Sequence, residues 1–127
     1  MRYDLIQFKK EDLKKIMLGR FGKLCFADYE VNKKNYITMH HIVPVRDKGK
    51  YTIDNIALLS QIAHCIFNEI EKGNWKKAKE LNDAFKEFKL WEDKRILQQT
   101  HDFMEAERIA LGYEIEDRGK LLILKRK

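Results

Sequence analysis

At 127 residues, with 44% apolar and 36% charged residues, the chain has room for one compact domain with a modest core, which excludes both a disordered polymer and two independent globular units. No apolar run approaches the roughly 20 residues that a bilayer crossing needs, and the start from Met1 to Lys15 lacks the apolar stretch of a secretory leader. A cytoplasmic protein without membrane contact is therefore expected, and its net charge of +6 favours a polyanionic partner through counterion release.

Residues 10 to 21 carry Leu13, Ile16 and Met17 at helical spacing, and Gly22 stands where a left-handed cap would end a helix. Leu24 to Tyr29 and Tyr36 to His41 are β-prone runs flanking Val31 to Asn35, whose Asn and Lys residues suit a turn, so an antiparallel pair is expected there. Pro44 to Thr52 has the glycine, aspartate and lysines of a solvated loop, and Ile53 to Leu59 reads as a short ordered connection. Ile62, Ile66, Phe67 and Ile70 define a helix that Gly73 can close. Beyond it, Trp75, Ala78, Leu81, Phe85 and Phe88 form one apolar helical face, with Trp75, Phe85 and Trp91 read as core. Ile96, Phe103 and Ala110, like Leu97, Met104 and Leu111, lie seven apart and predict a second helix packed on the first. Asp117, Arg118 and Gly119 predict the turn of a terminal β-hairpin between Tyr113 to Glu116 and Leu121 to Leu124, with a frayed basic end.

The chemistry-bearing stretch runs from Met39 to Ile70. His40 and His41 end a strand, Pro44 and a glycine-containing loop follow, then Asp54-Asn55-Ile56, then His64 and Asn68 four residues apart on one helix face. Adjacent histidines alone are more often structural than catalytic, and Asn55 or His64 alone reads as a turn cap or a core residue. All of them in register resemble the HNH endonuclease family with its ββα-metal, or His-Me finger, fold. The resemblance covers residues 39 to 70 closely and 12 to 72 loosely.

The resemblance implies an α+β fold: a ββα-metal core over 12–72 with an N-terminal helix, and an extension over 73–127 made of an α-hairpin and a β-hairpin, all within one domain spanning 1–127. It further implies a nuclease or nickase of phage or mobile-element type that hydrolyses phosphodiester bonds in DNA, RNA staying open as a substrate. His41 would be the general base, and Asn55 would hold the loop and orient the His41 imidazole. His40, His64 and Asn68 would ligate one divalent ion. Mg²⁺ or Mn²⁺ suits that set best, with Zn²⁺ or Ni²⁺ also accepted, and two imidazoles and an amide bring no charge of their own. Phosphodiester cleavage needs a nucleophilic water, charge relief at the phosphate and help for the leaving oxygen, which those residue types divide among them. The alternative is a catalytically silent HNH-fold module of a phage or mobile element, a regulator or anti-defence protein gripping DNA or another protein.

Many family members also hold a structural zinc on two Cys-x-x-Cys pairs. The matching positions here are Cys25, Asp28, Ser60 and Ala63, one thiol and no tetrahedral set, so no structural zinc is expected. Phe21, Phe26, Tyr29 and Tyr36 are candidates to hold the fold instead, and Cys65 reads as a small buried hydrophobe. Lys33, Lys34, Arg46, Lys48 and Lys50 are the candidate nucleic-acid contacts because they flank the site in sequence. The lysines at 9, 10, 14 and 15, and at 76, 77 and 79, read as solvated helix faces, and His101 as a packing residue. Residues 73–127 could also carry a homodimer contact or a protein partner.

Overall fold

The computed structural model describes residues 5–127; Met1 to Asp4, part of the polar start, lie outside the described residues. Helix α1 (Lys10–Phe21) buries Leu13 and Met17 and places Glu11 and Asp12 in its first turn, where they complement the helix dipole. Gly22 ends it with φ 72° and ψ −168°. That is a glycine-only backbone region rather than the expected left-handed cap.

Strand β1 (Ile37–His41) pairs antiparallel with β2 (Ile56–Ser60), His40 opposite Ala57 and His41 opposite Ile56. The expected partner strand at Leu24 to Tyr29 does not form. Cys25 to Asp28 instead make a turn, with the Asp28 N–H bonded to the Cys25 carbonyl and Asp28 at φ 59°, and only the Phe26 N–H reaches a strand, at the Leu58 carbonyl. The strand that replaces it lies in the segment read as a connection. Ile56, Ala57, Leu58, Leu59 and Ser60 are all buried, so the alternation that marks a half-exposed strand is absent from the sequence.

The turn at Cys25 shows what stands where zinc ligands would. The Cys25 sulfur accepts N–H bonds from Ala27 and Ser60, at 3.4 and 3.3 Å, and the Ser60 hydroxyl caps helix α2 (Gln61–Gly73) by accepting from the Ala63 N–H. Thiol and hydroxyl are thus committed to backbone donors. Phe26 is buried and meets Phe21 and Phe88 edge-on at 5.1 and 5.0 Å, whereas Tyr36 is exposed. Cys65 is also exposed, not buried as expected, because it lies on α2 away from the stripe of Ile62, Ile66, Phe67 and Ile70.

Asn74 links α2 to α3 (Trp75–Trp91) and caps the latter by accepting from the Lys76 and Lys77 N–H groups. Helix α3 buries Ala78, Leu81, Phe85 and Phe88, while Trp75 and Trp91 at its two ends are exposed, contrary to their reading as core. Helix α4 (Lys94–Ala110) buries Leu97, Thr100 and Met104, and His101 donates its Nδ1–H to the Ala27 carbonyl at 3.0 Å, fastening the turn beneath it. The hairpin of β3 (Tyr113–Asp117) and β4 (Leu122–Arg126) docks back on the core through the Leu122 N–H to the Lys34 carbonyl and Gln61 to the Leu122 carbonyl. Its basic end is paired rather than frayed, Arg126 lying opposite Tyr113 and the Lys127 N–H bonding the Gly112 carbonyl. Among the described residues no helix is long and apolar enough to cross a membrane.

Candidate active site

Where β1 ends against α2, a hollow of about 200 Å³ is lined by His40, His41, Arg46, His64, Asn68 and Glu71, among others. Four of the five motif residues therefore meet at one place. The strand supplies His40 and His41. The positions 64, 68 and 71 fall on one strip of α2 by helical spacing.

His40 is buried against Phe67 and Phe85, with ring centroids 4.4 and 5.8 Å away, and meets His64 edge-on at 5.2 Å. Its Nε2 lies 2.8 Å from the side-chain oxygen of Asn82, whose amide nitrogen donates to the Ile42 carbonyl at 3.4 Å. An amide oxygen only accepts, so the His40 proton sits on Nε2 and the lone pair on Nδ1. His64 is fixed in the opposite sense. The Thr38 hydroxyl has one hydrogen and lies 2.8 Å from the Leu59 carbonyl, which can only accept, so the His64 Nδ1 at 2.9 Å donates to Thr38 and its Nε2 carries the lone pair.

All three imidazoles are held neutral. Burial pushes the His40 pKa down to about 3, outweighing the bond to Asn82. Burial also lowers His64, with the charge of His41 next and Glu71 opposing, and it lowers His41, followed by Lys10. The His41 ring stands edge-on to Tyr51 at 4.5 Å, and its Nε2 is the buried side-chain polar atom left without a hydrogen-bond partner among the described residues.

Asn55 lies outside the lining of the hollow. Its side-chain oxygen accepts from the Val43 N–H at 2.7 Å, and its amide donates to the Val43 and Lys50 carbonyls at 3.0 and 3.1 Å. It clasps the loop, as expected, but the bonds it makes are to backbone and not to His41. The clasp needs Gly49, where a Cβ would fall 1.6 Å from the Val43 carbonyl oxygen.

Of the basic candidates, Arg46 reaches the hollow and lies 3.5 Å from Glu71, while Lys48 and Lys50 are exposed on the clasped loop. Lys33 and Lys34 sit beyond the opposite end of β1 from the histidines, and Lys34 pairs with Asp117 at 3.0 Å.

Two residues outside the motif complete the arrangement. Asn82 and Lys89 lie seven apart on the buried side of α3, the first bonded to His40 and the second donating its ammonium to the Ile53 and Asp54 carbonyls at 2.8 and 2.7 Å, next to Asn55. The signal for them was present in the sequence as polar residues in register with Ala78 and Phe85 on an otherwise apolar face.

Among the described residues no three His, Cys, Asp or Glu side chains converge as a cation cluster. A cation at this hollow would draw on two imidazoles and the Asn68 amide. The donor chemistry fits, since each imidazole has one nitrogen tied to a fixed partner and the other free as a lone pair. Glu71 adds a carboxylate on the wall that the motif did not reveal.

The depressed His40 pKa has a consequence for the fold itself. An unfolded histidine titrates near 6.5, so the neutral form favoured here contributes its full stability above that value and loses it as pH falls toward about 3. In metal-free buffer, the urea midpoint of the wild type should fall more between pH 7 and pH 4 than that of His40→Gln; parallel declines would show that His40 is not the titrating group.

Residues 25–64 match the family model described as HNH endonuclease. No curated protein and no solved structure shows significant similarity to the chain. The match begins at the Cys25 turn, spans the paired strands and ends on His64, so that this part of the α+β fold is similar to an HNH endonuclease domain.

Proposed function

We propose that the chain is a divalent-metal-dependent endonuclease or nickase that hydrolyses phosphodiester bonds in DNA. The observation that carries this reading is one hollow in which three neutral imidazoles meet, two of them with their tautomers fixed by Asn82 and Thr38 and the third with an unpartnered Nε2. His41 takes the proton of the attacking water, because its neutral ring keeps a lone pair available near pH 7. His40, His64 and Asn68 hold the cation, with Mg²⁺ or Mn²⁺ favoured by the amide oxygen. A cation bound there supplies charge relief at the phosphate and at the leaving oxygen. Asn55 fixes the loop that carries Arg46 to the hollow, and Arg46, Lys48 and Lys50 contact phosphate. The functional unit runs past the 12–72 core to include α3, which braces both the His40 side and the Asn55 side.

A second reading has an observation in its favour. His40 is 5% exposed and packed against Phe67 and Phe85, which suits a packing residue in a silent DNA- or protein-binding module. Incubation of supercoiled, linear and single-stranded DNA with the protein and Mg²⁺, Mn²⁺, Ni²⁺ or Zn²⁺ separates the two. The nuclease reading expects nicking or cutting that chelator abolishes while the circular dichroism stays unchanged, since no thiolate set ties folding to metal. Binding without cleavage under every metal would favour the module.

A further inference from the structure

β1 pairs with β2 alone among the described residues, so its other edge is open. Along that edge runs a second hollow, of about 400 Å³, walled by Lys10 and Lys14 from α1, by Tyr36 and Tyr51, and by His41. It shares Met39, His41 and Val45 with the hollow that holds the histidine pair, so the two meet at the proposed base. No Asp or Glu lines it. Lys10 and Lys14 are a helical turn apart on α1, Lys10 exposed and Lys14 half-buried, and Tyr36 is exposed at the far end.

We propose that this α1-side groove is the track for a single DNA strand, with Lys10 and Lys14 on its phosphates and Tyr36 under a base. The proposal rests on the nuclease reading and names where its substrate lies. Three observations point the same way. The wall is cationic without a carboxylate, whereas the neighbouring hollow carries Glu71. Two tyrosines, Tyr36 and Tyr51, line the hollow together with the lysines, the combination of a cationic wall and aromatic faces that single-stranded nucleic acid uses. His41 lines this groove as well as the histidine hollow, so a strand lying in it can bring a phosphate to the residue assigned to activate water. An acidic peptide added to the open edge of β1 is the rival occupant, but it would leave the tyrosine faces and the junction at His41 without a role.

The test is binding of a fluorescein-labelled single-stranded DNA oligonucleotide to the full chain in EDTA, read by anisotropy across a salt series, with cleavage assayed separately in Mg²⁺ or Mn²⁺. Lys10→Gln with Lys14→Gln should weaken binding about tenfold or more and flatten the log K against log salt slope by about 1.4, the value for two phosphate contacts on a single strand. Tyr36→Leu should weaken binding about tenfold with no change in that slope. Lys76→Gln with Lys79→Gln removes the same charge from α3 and should leave the slope unchanged. Equal losses in the two lysine pairs would reduce the groove to general charge and overturn the proposal. Wild-type protein that cleaves DNA while Lys10→Gln/Lys14→Gln binds it unchanged would overturn the groove and spare the nuclease reading; wild-type protein that neither binds nor cleaves would overturn both. Tighter binding of the same sequence as RNA, or competition by polyglutamate as strong as by unlabelled DNA, would also overturn it.

Discussion

His41→Ala should lower the cleavage rate by about 10² to 10⁴ while leaving the fold and cation binding intact. The residue stands at the junction of the two hollows, makes no hydrogen bond through its Nε2, and meets Tyr51 in a perpendicular ring contact. Removing it takes away a proton acceptor and little packing. The loss corresponds to about 3 to 5 kcal/mol of transition-state stabilisation, and added metal should not restore it. His40→Ala should behave differently, recovering part of its activity as metal concentration rises, because its assigned work is ligation. Single-turnover rates on supercoiled plasmid across a Mn²⁺ titration distinguish the two. Recovery of His41→Ala at high metal would mean that the roles of the adjacent histidines are exchanged.

Asn82→Ala should weaken cation binding about 10- to 100-fold, the effect expected when a group that orients a ligand is removed. It leaves the His40 Nε2–H buried without an acceptor, which should also cost about 1 to 3 kcal/mol of stability. Asn82→Asp keeps an oxygen acceptor at the same place and should restore the cation affinity. Isothermal titration with Mn²⁺ and urea unfolding, run side by side, give the two readouts. A residue that merely fills space would show the stability loss with the affinity unchanged, and Asn82→Asp would then offer no rescue.

The site was legible to the extent that its residues share local spacing. His64 and Asn68 are one helical turn apart, and His40 and His41 adjoin, so their meeting follows once the strand is placed against α2. Helix positions were legible for the same reason, since amphipathic periodicity survives in α2, α3 and α4. The partner of β1 was not, because β2 is buried on both faces and shows no alternation, while the β-prone run at Leu24 to Tyr29 is folded into a turn by Asp28 at positive φ. Sequence neighbours also misled about charge: Lys33 and Lys34 are close to His40 in number but stand beyond the other end of the strand, whereas Lys10 and Lys14 reach the His41 side from another element. Asn82 and Lys89 belong to long-range contacts, and a polar residue on an apolar helical face shows that a partner is needed without naming it.

The attachment of His40 to Asn82 and of the Ile53 and Asp54 carbonyls to Lys89 sets a clock on the site. Surface loops rearrange in nanoseconds to microseconds, and a catalytic loop fastened only to itself could sample many geometries between turnovers. Here both fastenings end on α3, whose Phe85 and Phe88 are locked in the core. For His40 to rotate away, or for the backbone before Asn55 to shift, those bonds must break against a helix that leaves its place only by partial unfolding of the domain. The His40 orientation therefore persists for as long as the helix stays docked, and the lifetime of that arrangement is that of the core.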